Sequence, residues 1–324
     1  MIIFSVKKYS PKNKHDWNTF VSKAKNATFL FQRDFMEYHQ DRFEDHSLMV
    51  YKNDKLLAIL PANKKEDTLY SHQGLTYGGL VVDHRIKLNI FATLFQEVLR
   101  YLNERGILKL EIKLLPSIYA NLPNDELLYL MFILDSKLMK RDTLSAVDLN
   151  ANLNFSKNRI EGFKRANKHE LVLKEGDFDS FWNTLLVPNL RKKYQSSPVH
   201  SLSDIKLLRE NFPKNIRQFN VYYNDEIVAG TTVFETDRIA HLQYIASEDR
   251  RSKLGSLDFL HMQLIKNVFA DKSYFDFGIS NENQGKTINS GLMLWKEGFG
   301  ARTVTQDCYS INTENYKNID SIFI

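Results

Sequence analysis

An internal repeat constrains the fold of this chain more than any other feature. Residues 50–58 read VYKNDKLLA and residues 221–229 read VYYNDEIVA, so five of the nine positions are identical. In both segments apolar residues flank an Asn-Asp pair, which is the pattern of a strand, a tight turn and a returning strand. The repeat therefore predicts two copies of one α/β unit.

The order of the predicted elements supports this duplication. In the first half, strands are expected at residues 2–8, 46–51, 56–60, 68–71, 80–82, 108–114 and 143–149, and helices at residues 16–25 and 88–104. In the second half, helices are expected at residues 158–169, 177–194, from 203 onward, and 254–269, and strands at residues 171–174, 219–223, 227–234, 239–246 and 274–279. Asn-Asp hairpins recur by chance in unrelated sheets, but here both halves place helices before the hairpin and a strand-helix-strand crossover after it. We expect domains at residues 1–150 and 151–324, each with a mixed central sheet flanked by helices.

The composition is that of a globular chain. Of 324 residues, 43% are apolar and 26% charged, with few Pro and Gly, which excludes disordered and fibrous proteins. No apolar run approaches the roughly 20 residues that cross a bilayer, so we expect a cytoplasmic protein without a transmembrane segment. The single cysteine, Cys308, excludes an internal disulfide and a cysteine-pair metal site, and we expect it to pack as a small apolar side chain. The formal net charge of +5 permits an anionic partner without requiring one.

The stretch at residues 273–302 is the strongest candidate for a functional site. Asp276 interrupts an apolar strand, residues 280–285 are nearly all polar or Gly, and apolar residues then recur at helical spacing up to Phe299. Ligands of open α/β sheets bind beyond the carboxyl ends of strands. The polar loop between this strand and the following helix is therefore where substrate contacts are expected, and Ser280, Asn281, Glu282 and Asn289 are its candidates.

A second candidate lies at the junction of residues 247–256. Arg250 and Arg251 precede Gly255 and Ser256 at the expected start of a helix. Free N–H groups and the positive end of the helix dipole favour a phosphate or carboxylate there. An ordinary solvated turn with surface Arg and Lys explains the same residues, and both explanations stay open.

Several of these segments together resemble a known family. The strand at residues 239–247 (IAHLQYIAS), the basic junction, the helix after it and the strand YFDFG at residues 274–278 are similar to the C-terminal half of the Fem-type peptidoglycan bridge-forming aminoacyltransferases. The basic helix at residues 159–168 followed by Phe181 and Trp182 resembles the start of the second domain of that family. Fem-type proteins belong to the GNAT acyltransferase superfamily and contain two tandem GNAT-like domains, which agrees with the repeat.

The resemblance implies a bacterial acyltransferase of cell-envelope biogenesis. It implies that the first domain binds the acceptor and that the second is catalytic, acting on a nucleotide- or lipid-linked precursor of peptidoglycan or a surface polysaccharide. The donor stays open between acyl-CoA and aminoacyl-tRNA, because Arg251 and Gly255 do not have the spacing of the GNAT phosphate motif Arg/Gln-x-x-Gly-x-Gly/Ala. No DNA partner and no metal are expected, and peripheral membrane contact stays open. The alternative is a non-catalytic duplicated module that binds a nucleotide-linked ligand.

Acyl transfer to an amine requires a proton acceptor and stabilisation of a tetrahedral oxyanion. His241 and Asp276 are expected on neighbouring strands, where either could accept the proton. Strand alternation predicts that Gln243 shares the face of His241, opposite Leu242 and Tyr244. Lys296 is the candidate cation for the oxyanion. Each has a structural alternative: a capping carboxylate for Asp276, a core histidine for His241 and a surface lysine for Lys296.

Two further segments are candidates for binding the substrate. Residues 71–79 (SHQGLTYGG) are dense in Gly and polar groups, a composition that lets the backbone approach a ligand closely. Ser71, His72, Tyr77 and Gly79 are the candidates there, and a Gly-rich turn is the alternative. His200 lies in a loop between two predicted helices that could cover the cleft.

Overall fold

The computed structural model describes residues 4–249 and 251–324, together with the side chains of all of these except Tyr194 and Arg251. These residues form two compact units. Unit 1 comprises residues 1–142, 284–286 and 305–324, and unit 2 comprises residues 143–283 and 287–304. Each unit has a mixed sheet flanked by helices.

The strands and helices are bounded by these residues. The strands are β1 Phe4–Lys8, β2 Glu44–Asp45, β3 Leu48–Lys52, β4 Lys55–Leu60, β5 Asn63–Lys65, β6 Thr68–Tyr70, β7 Val81–Val82, β8 Lys109–Lys113, β9 Lys137–Asp148, β10 Val172–Glu175, β11 Ile216–Tyr223, β12 Glu226–Glu235, β13 Ile239–Ser247, β14 Tyr274–Ile279, β15 Asn281–Glu282, β16 Thr287–Ile288 and β17 Arg302–Asn312. The helices are α1 Lys14–Val21, α2 Arg33–Met36, α3 Leu88–Asn103, α4 Glu126–Ile133, α5 Lys157–Lys168, α6 Phe178–Ser180, α7 Val187–Tyr194, α8 Leu202–Asn211, α9 Arg251–Leu254, α10 Ser256–Gln263 and α11 Ser290–Glu297.

Unit 1 packs its sheet strands against α3. One group of strands has the order β1-β3-β4-β7, and a second has the order β17-β8-β6-β5-β2. The apolar face of α3 is buried as its spacing predicts, with Phe91, Leu94, Phe95, Val98 and Leu102 all inaccessible to solvent. Residues 305–324 belong to unit 1 because β17 pairs with β8 from Cys308 to Asn312. Cys308 is half-buried there.

Unit 2 contains the strand order β10-β11-β12-β13-β14-β9, with β9 contributing its residues from Thr143 onward. β13 and β14 run parallel, and the other neighbouring strands run antiparallel. One face of this sheet packs against α5 and α10 through a core that includes Phe259, Phe275 and Phe277. The other face is covered in part by the segment from α6 to α7.

The two hairpins confirm the internal repeat at the level of single residues. β3 and β4 have a β-bulge between Val50 and Tyr51, and β11 and β12 have one between Val221 and Tyr222. These positions are equivalent in the repeat. Both Asn residues of the turns, Asn53 and Asn224, have positive φ, which Asn tolerates better than most residues. The chain therefore contains a duplicated α/β unit.

Some sequence predictions need correction. The helix expected at residues 177–194, which Pro188 was expected to kink or split, is three consecutive segments: a π-helical stretch at Phe181–Leu186 lies between α6 and α7, and Pro188 stands in the first turn of α7. Asp177 caps the first of them by accepting from the Ser180 backbone N–H, as expected. α4 was not predicted. In the described part of the chain, no helix is both long and apolar enough to span a bilayer.

Candidate active site

β13 and β14 form a fork in the sheet of unit 2. They pair in parallel over three residues only, and the last pair is His241 with Asp276. β13 then continues to Ser247 and β14 continues to Ile279. Within the described residues, the two strands form no further residue pairs with each other. The fork opens at the carboxyl ends of both strands, the edge at which α/β sheets bind ligands.

Asp276 and His241 are hydrogen-bonded at the base of this fork. Asp276 is fully buried, and its Oδ2 lies 2.9 Å from Nδ1 of His241. Its Oδ1 accepts a 2.7 Å hydrogen bond from the Gly278 backbone N–H. Because a buried carboxylate needs such partners, the imidazole is held with its Nδ1 proton toward Asp276. That tautomer makes Nε2 the basic nitrogen of His241.

Lys296 points inward from α11 toward the same strand end. Its side chain is buried, and Nζ donates to the carbonyl oxygens of Gly278 at 2.9 Å and Ile279 at 2.6 Å. Burial lowers the pKa of Lys296 to about 8, and the negative charge of Asp276 opposes this shift. The surface alternative for Lys296 is therefore excluded. Its contacts position the end of β14 beside Asp276.

A β-bulge at Gln243 changes which side chains of β13 share a face. Leu242 pairs with Val233 and Tyr244 pairs with Thr232, which leaves Gln243 as the extra residue. His241 pairs with Phe234, so His241 and Tyr244 lie on the same face of the sheet. The prediction that Tyr244 lies on the face opposite His241 is wrong, because the extra residue of the bulge interrupts the alternation of side chains between the two faces of the sheet.

His200 is bound to Tyr244 on this face. The backbone N–H of His200 donates to the Tyr244 hydroxyl at 3.1 Å, and its Nδ1 lies 2.7 Å from the same oxygen. The Tyr244 ring also packs edge-on against Trp182, with the ring centroids 5.3 Å apart. His200 is thus buried next to the fork, at the end of the exposed loop that was expected to cover the cleft.

Comparisons with solved structures identify this fold. The structure of FemX matches with a TM-score of 0.66 at 12% sequence identity, covering 94% of this chain and 96% of that chain. L-PGS from Bacillus licheniformis matches at 0.57 and 12%, covering 96% and 94%. A tandem GNAT protein from the clavulanic acid biosynthesis pathway matches at 0.52 and 10%, covering 96% and 99%. The chain has the Fem-type tandem GNAT fold. A scan of protein-family models and a search of curated protein sequences gave no match.

Within this Fem-type fold, most polar residues that come after β14 have structural contacts. Asn281 Oδ1 accepts from the backbone N–H and the hydroxyl of Thr143, at 2.6 and 2.8 Å. Asn289 caps α11 by accepting from the Leu292 N–H, and its side chain donates to the exposed Glu282. Ser280 differs, because its hydroxyl is buried and has no hydrogen-bond partner. Ser280 is therefore a buried residue of this loop whose hydroxyl is not used in a structural hydrogen bond.

The Gly255 junction packs closely against α5. Gly255 has a φ of +72°, and a Cβ there would lie 2.1 Å from the Gly162 carbonyl oxygen of α5. Ser256 is fully buried, and its hydroxyl has no partner. The absence of a side chain at Gly255 thus permits the close approach of α5, and the Ser256 side chain lies inside the protein. Arg250 lies outside the described residues, as does the side chain of Arg251.

The candidates at residues 71–79 lie inside unit 1. Ser71 Oγ accepts from the Lys113 backbone N–H at 2.9 Å, and the Tyr77 hydroxyl donates to Thr28 at 2.9 Å. Burial, reinforced by nearby His39, lowers the pKa of His72 to about 3, so His72 is neutral. Gly79, with a φ of +104°, borders a cavity of about 120 Å³. Of these four residues, Gly79 is the one that lines this cavity.

Tyr244 and Trp182 were not recognised as site residues from the sequence. Tyr244 was assigned to the wrong face, and Trp182 was noted only as part of the family resemblance. Within residues 4–249 and 251–324, no group of three or more His, Cys, Asp or Glu is placed to hold a metal ion.

Proposed function

We propose that the protein is an N-acyltransferase that transfers an acyl or aminoacyl group to an amine of a cell-envelope or surface-polysaccharide precursor. The observation that carries the proposal is the Asp276–His241 pair at the open fork of unit 2, in a chain with the Fem-type tandem GNAT fold. The acyl donor and a nucleotide-linked acceptor are cytoplasmic molecules, so we assign the reaction to that compartment.

The geometry supports a direct role for His241 in activating the amine. An amine is protonated at neutral pH and must lose a proton before it can attack an acyl carbon. Nε2 of His241 accepts that proton, and the Asp276 carboxylate stabilises the imidazolium that forms. The C–N bond then forms, and the bond between the acyl carbon and the sulfur or oxygen of the donor breaks. Lys296 keeps the end of β14 in place while charge develops.

The open fork favours acyl-CoA as the donor. Past His241 the β14-facing edge of β13 has no strand paired to it in the described register. Unpaired strand edges bind extended ligands that carry amide groups, through main-chain hydrogen bonds. The extended arm of acyl-CoA has such amides, and its thioester would reach His241 from the open end of the fork.

A second donor is supported by the charge of two helices in unit 2. The exposed faces of α5 and α7 carry Lys164, Arg165, Lys168, Arg191 and Lys193. These two basic surfaces lie on opposite faces of the unit 2 sheet, and each attracts a polyanion such as tRNA, with an affinity that falls as salt is added. Aminoacyl-tRNA is therefore the alternative donor. For the acceptor, we assign the 120 Å³ cavity beside Gly79 in unit 1 as its binding region.

Ligand binding and then turnover test the proposal. Thermal unfolding is measured with acetyl-CoA, longer acyl-CoAs, nucleotide-activated amino sugars and a bulk tRNA fraction. A true ligand at a hundredfold excess over its Kd stabilises the folded protein by about 2.7 kcal/mol. We expect stabilisation by an acyl-CoA and formation of an acylated amino sugar. Stabilisation by an amino sugar with no transfer from any donor would support the non-catalytic binding module instead.

A further inference from the structure

The outward side of α4 in unit 1 is apolar and exposed to solvent. α4 reads ELLYLMFI, so it carries no charge after its first residue, and its inward side is buried in the core of unit 1 through Leu127 and Leu130. Its outward side chains are Leu128, Tyr129 and Phe132, and Phe132 is 79% exposed. A surface helix of a globular protein normally carries polar residues on this side. Exposed groups of large apolar side chains mark sites of contact with a protein or a membrane.

The apolar side of α4 continues onto the first residues of β9. α4 leads into β9 after three residues. Arg141 of β9 binds Asp307, and Asp307 lines the 120 Å³ cavity together with Leu128 of α4. Because alternate residues of a strand share a face, Met139 lies on the same side of the sheet as Arg141. Leu138 lies on the other side, and both it and Met139 are exposed. We call the exposed side chains of this region the apolar surface, and they are Leu128, Tyr129, Phe132, Leu138 and Met139.

The charges beside the apolar surface favour an anionic partner. Lys137 is exposed at the start of β9. Lys140 and Arg141 form ion pairs with Asp142 and Asp307. Both of these carboxylates are buried, whereas the two cations are partly exposed. The positive ends of the ion pairs therefore lie at the surface.

A bilayer with anionic lipids fits the apolar surface better than a second copy of the chain does. A symmetric dimer uses the same surface on both subunits, so it would bring Lys137 and Arg141 of both chains into one interface. A bilayer instead accepts apolar side chains at the depth of its headgroups, and anionic headgroups attract the cations beside them. The eight residues of α4 span about 12 Å. This is far less than the roughly 30 Å of the hydrocarbon core, so α4 would lie along the membrane surface.

We infer that the apolar surface and its neighbouring cations dock unit 1 onto a bilayer that contains anionic lipids. Leu128 and Phe132 enter the boundary between headgroups and acyl chains, and Tyr129 suits this boundary because its ring is apolar and its hydroxyl is polar. The apolar stem of Lys137 lies along the same boundary while its ammonium group stays in water. The exposed carboxylates of Asp125 and Asp135, at the two ends of α4, are repelled by the same lipids.

Cosedimentation with vesicles tests this inference. The full chain is mixed with vesicles of phosphatidylcholine alone, or of phosphatidylcholine and phosphatidylglycerol in equal parts, and the membrane partition coefficient is measured. We expect the wild type to bind the mixed vesicles, with an affinity that falls as salt is added. Phe132→Ser should lower the partition coefficient about 10-fold, because the phenyl ring no longer enters the bilayer. The ring is 79% exposed, so the fold should be unchanged, which circular dichroism verifies.

Charge variants and a matched apolar variant separate docking from general stickiness. Lys137→Gln should lower binding to the mixed vesicles about 5-fold and leave binding to phosphatidylcholine unchanged. Asp135→Asn should raise binding to the mixed vesicles, because it removes a repelled charge. Leu207→Ser replaces an exposed leucine of α8 in unit 2, and this variant should bind as the wild type does.

The contrary outcomes are specific. Equal partition coefficients for the wild type and Phe132→Ser, or no binding to the mixed vesicles, would overturn the inference. A dimer in sedimentation velocity that Phe132→Ser dissociates, without vesicle binding, would assign the apolar surface to a second copy of the chain. Neither outcome bears on the proposed acyltransferase function, which the transfer reaction tests separately.

Discussion

Each unit contains one pair of parallel strands that share only three paired residues. In unit 1 these are β6 and β8, which end on Tyr70 and Glu111, and in unit 2 they are β13 and β14, which end on His241 and Asp276. β8 and β14 correspond by position in the repeat, whereas β13 pairs with the hairpin strand β12 and β6 pairs with β5. Beyond the third pair, the two units differ.

In unit 1 the fork is closed by the segment immediately after β6. Ser71 donates its N–H to the Glu111 carbonyl and accepts from the Lys113 N–H, and Gly78 forms a parallel bridge to Leu114. In unit 2 the fork stays open and is lined by His241, Asp276 and Tyr244. One fork is therefore closed by backbone contacts, while the other carries the hydrogen-bonded Asp276–His241 pair.

The largest expected effect separates the two carboxylates. Asp276→Asn removes the charge that orients and stabilises the His241 imidazole, so kcat for amine acetylation should fall about 100-fold or more. Glu111→Gln at the equivalent place in unit 1 should leave kcat unchanged. Steady-state kinetics of both variants, with circular dichroism to verify folding, make the comparison. Comparable losses in the two variants would remove the distinction between the forks.

A pair of glycines tests the closed fork against the open one. In Gly78→Ala the new Cβ would lie 2.1 Å from the Ser71 carbonyl oxygen, a backbone atom, so overpacking should lower the free energy of unfolding by about 1–3 kcal/mol. In Gly278→Ala the nearest atom is 3.5 Å away, on His241, and only the φ of +69° adds strain of about 1–2 kcal/mol. We expect Gly278→Ala to lose mainly activity and Gly78→Ala mainly stability, as measured by urea unfolding and kinetics. The reverse pattern would contradict the account.

The burial of Lys296 at the open fork should change how the free energy of unfolding depends on pH in alkaline solution. The pKa of Lys296 is about 8 in the folded protein, below the 10.5 of an exposed lysine. Between these values the unfolded chain holds a proton that the folded chain does not, so the free energy of unfolding rises with pH across this window. The stability of the wild type relative to Lys296→Met should therefore increase from pH 8 to 10.5. A constant difference would show that Lys296 is not desolvated.

The smallest expected effect is the loss of stability that buried His72, beside the closed fork, causes at low pH. His72 has a folded pKa of about 3, lowered from 6.5 by burial. Below pH 6.5 the unfolded chain gains a proton that the folded chain does not, so stability is lost as the pH falls toward 3. From pH 7 to 5 this amounts to about 1–2 kcal/mol. His72→Asn, which tolerates the positive φ, should remove this part of the acid loss in urea titrations. An unchanged pH dependence would contradict the burial of a neutral His72.

Much of the fold was predictable because local pattern and global fold agree. The repeated Asn-Asp hairpins, the apolar stripe of α3 and the strand at residues 274–279 all appear where the sequence places them. α4 was missed because Leu127 to Ile133 are apolar on all sides, which removes the helical period. The grouping of residues 305–324 with unit 1 depends on strand pairing between distant segments, which no local pattern encodes.

The site was predictable in its residues more than in its geometry. His241, Asp276 and Lys296 were selected from their positions on strands and a helix, and the structure brings them together. The position of Tyr244 on the His241 face depends on a bulge at Gln243, and the alternation of polar and apolar residues does not indicate this bulge. Gly255 also permits close packing against Gly162, a contact between distant segments that the sequence pattern does not indicate.

The central claim is that His241 and Asp276 act as one unit in acyl transfer. A double-mutant cycle with His241→Gln, Asp276→Asn and the combined variant measures this directly through kcat/KM for acetyl transfer to glycinamide. When two residues act as one unit, the first substitution already removes their joint function. The kcat/KM of the double variant should therefore lie within about 2-fold of the kcat/KM of the less active single variant. Losses that multiply, or single variants with wild-type activity, would contradict the account.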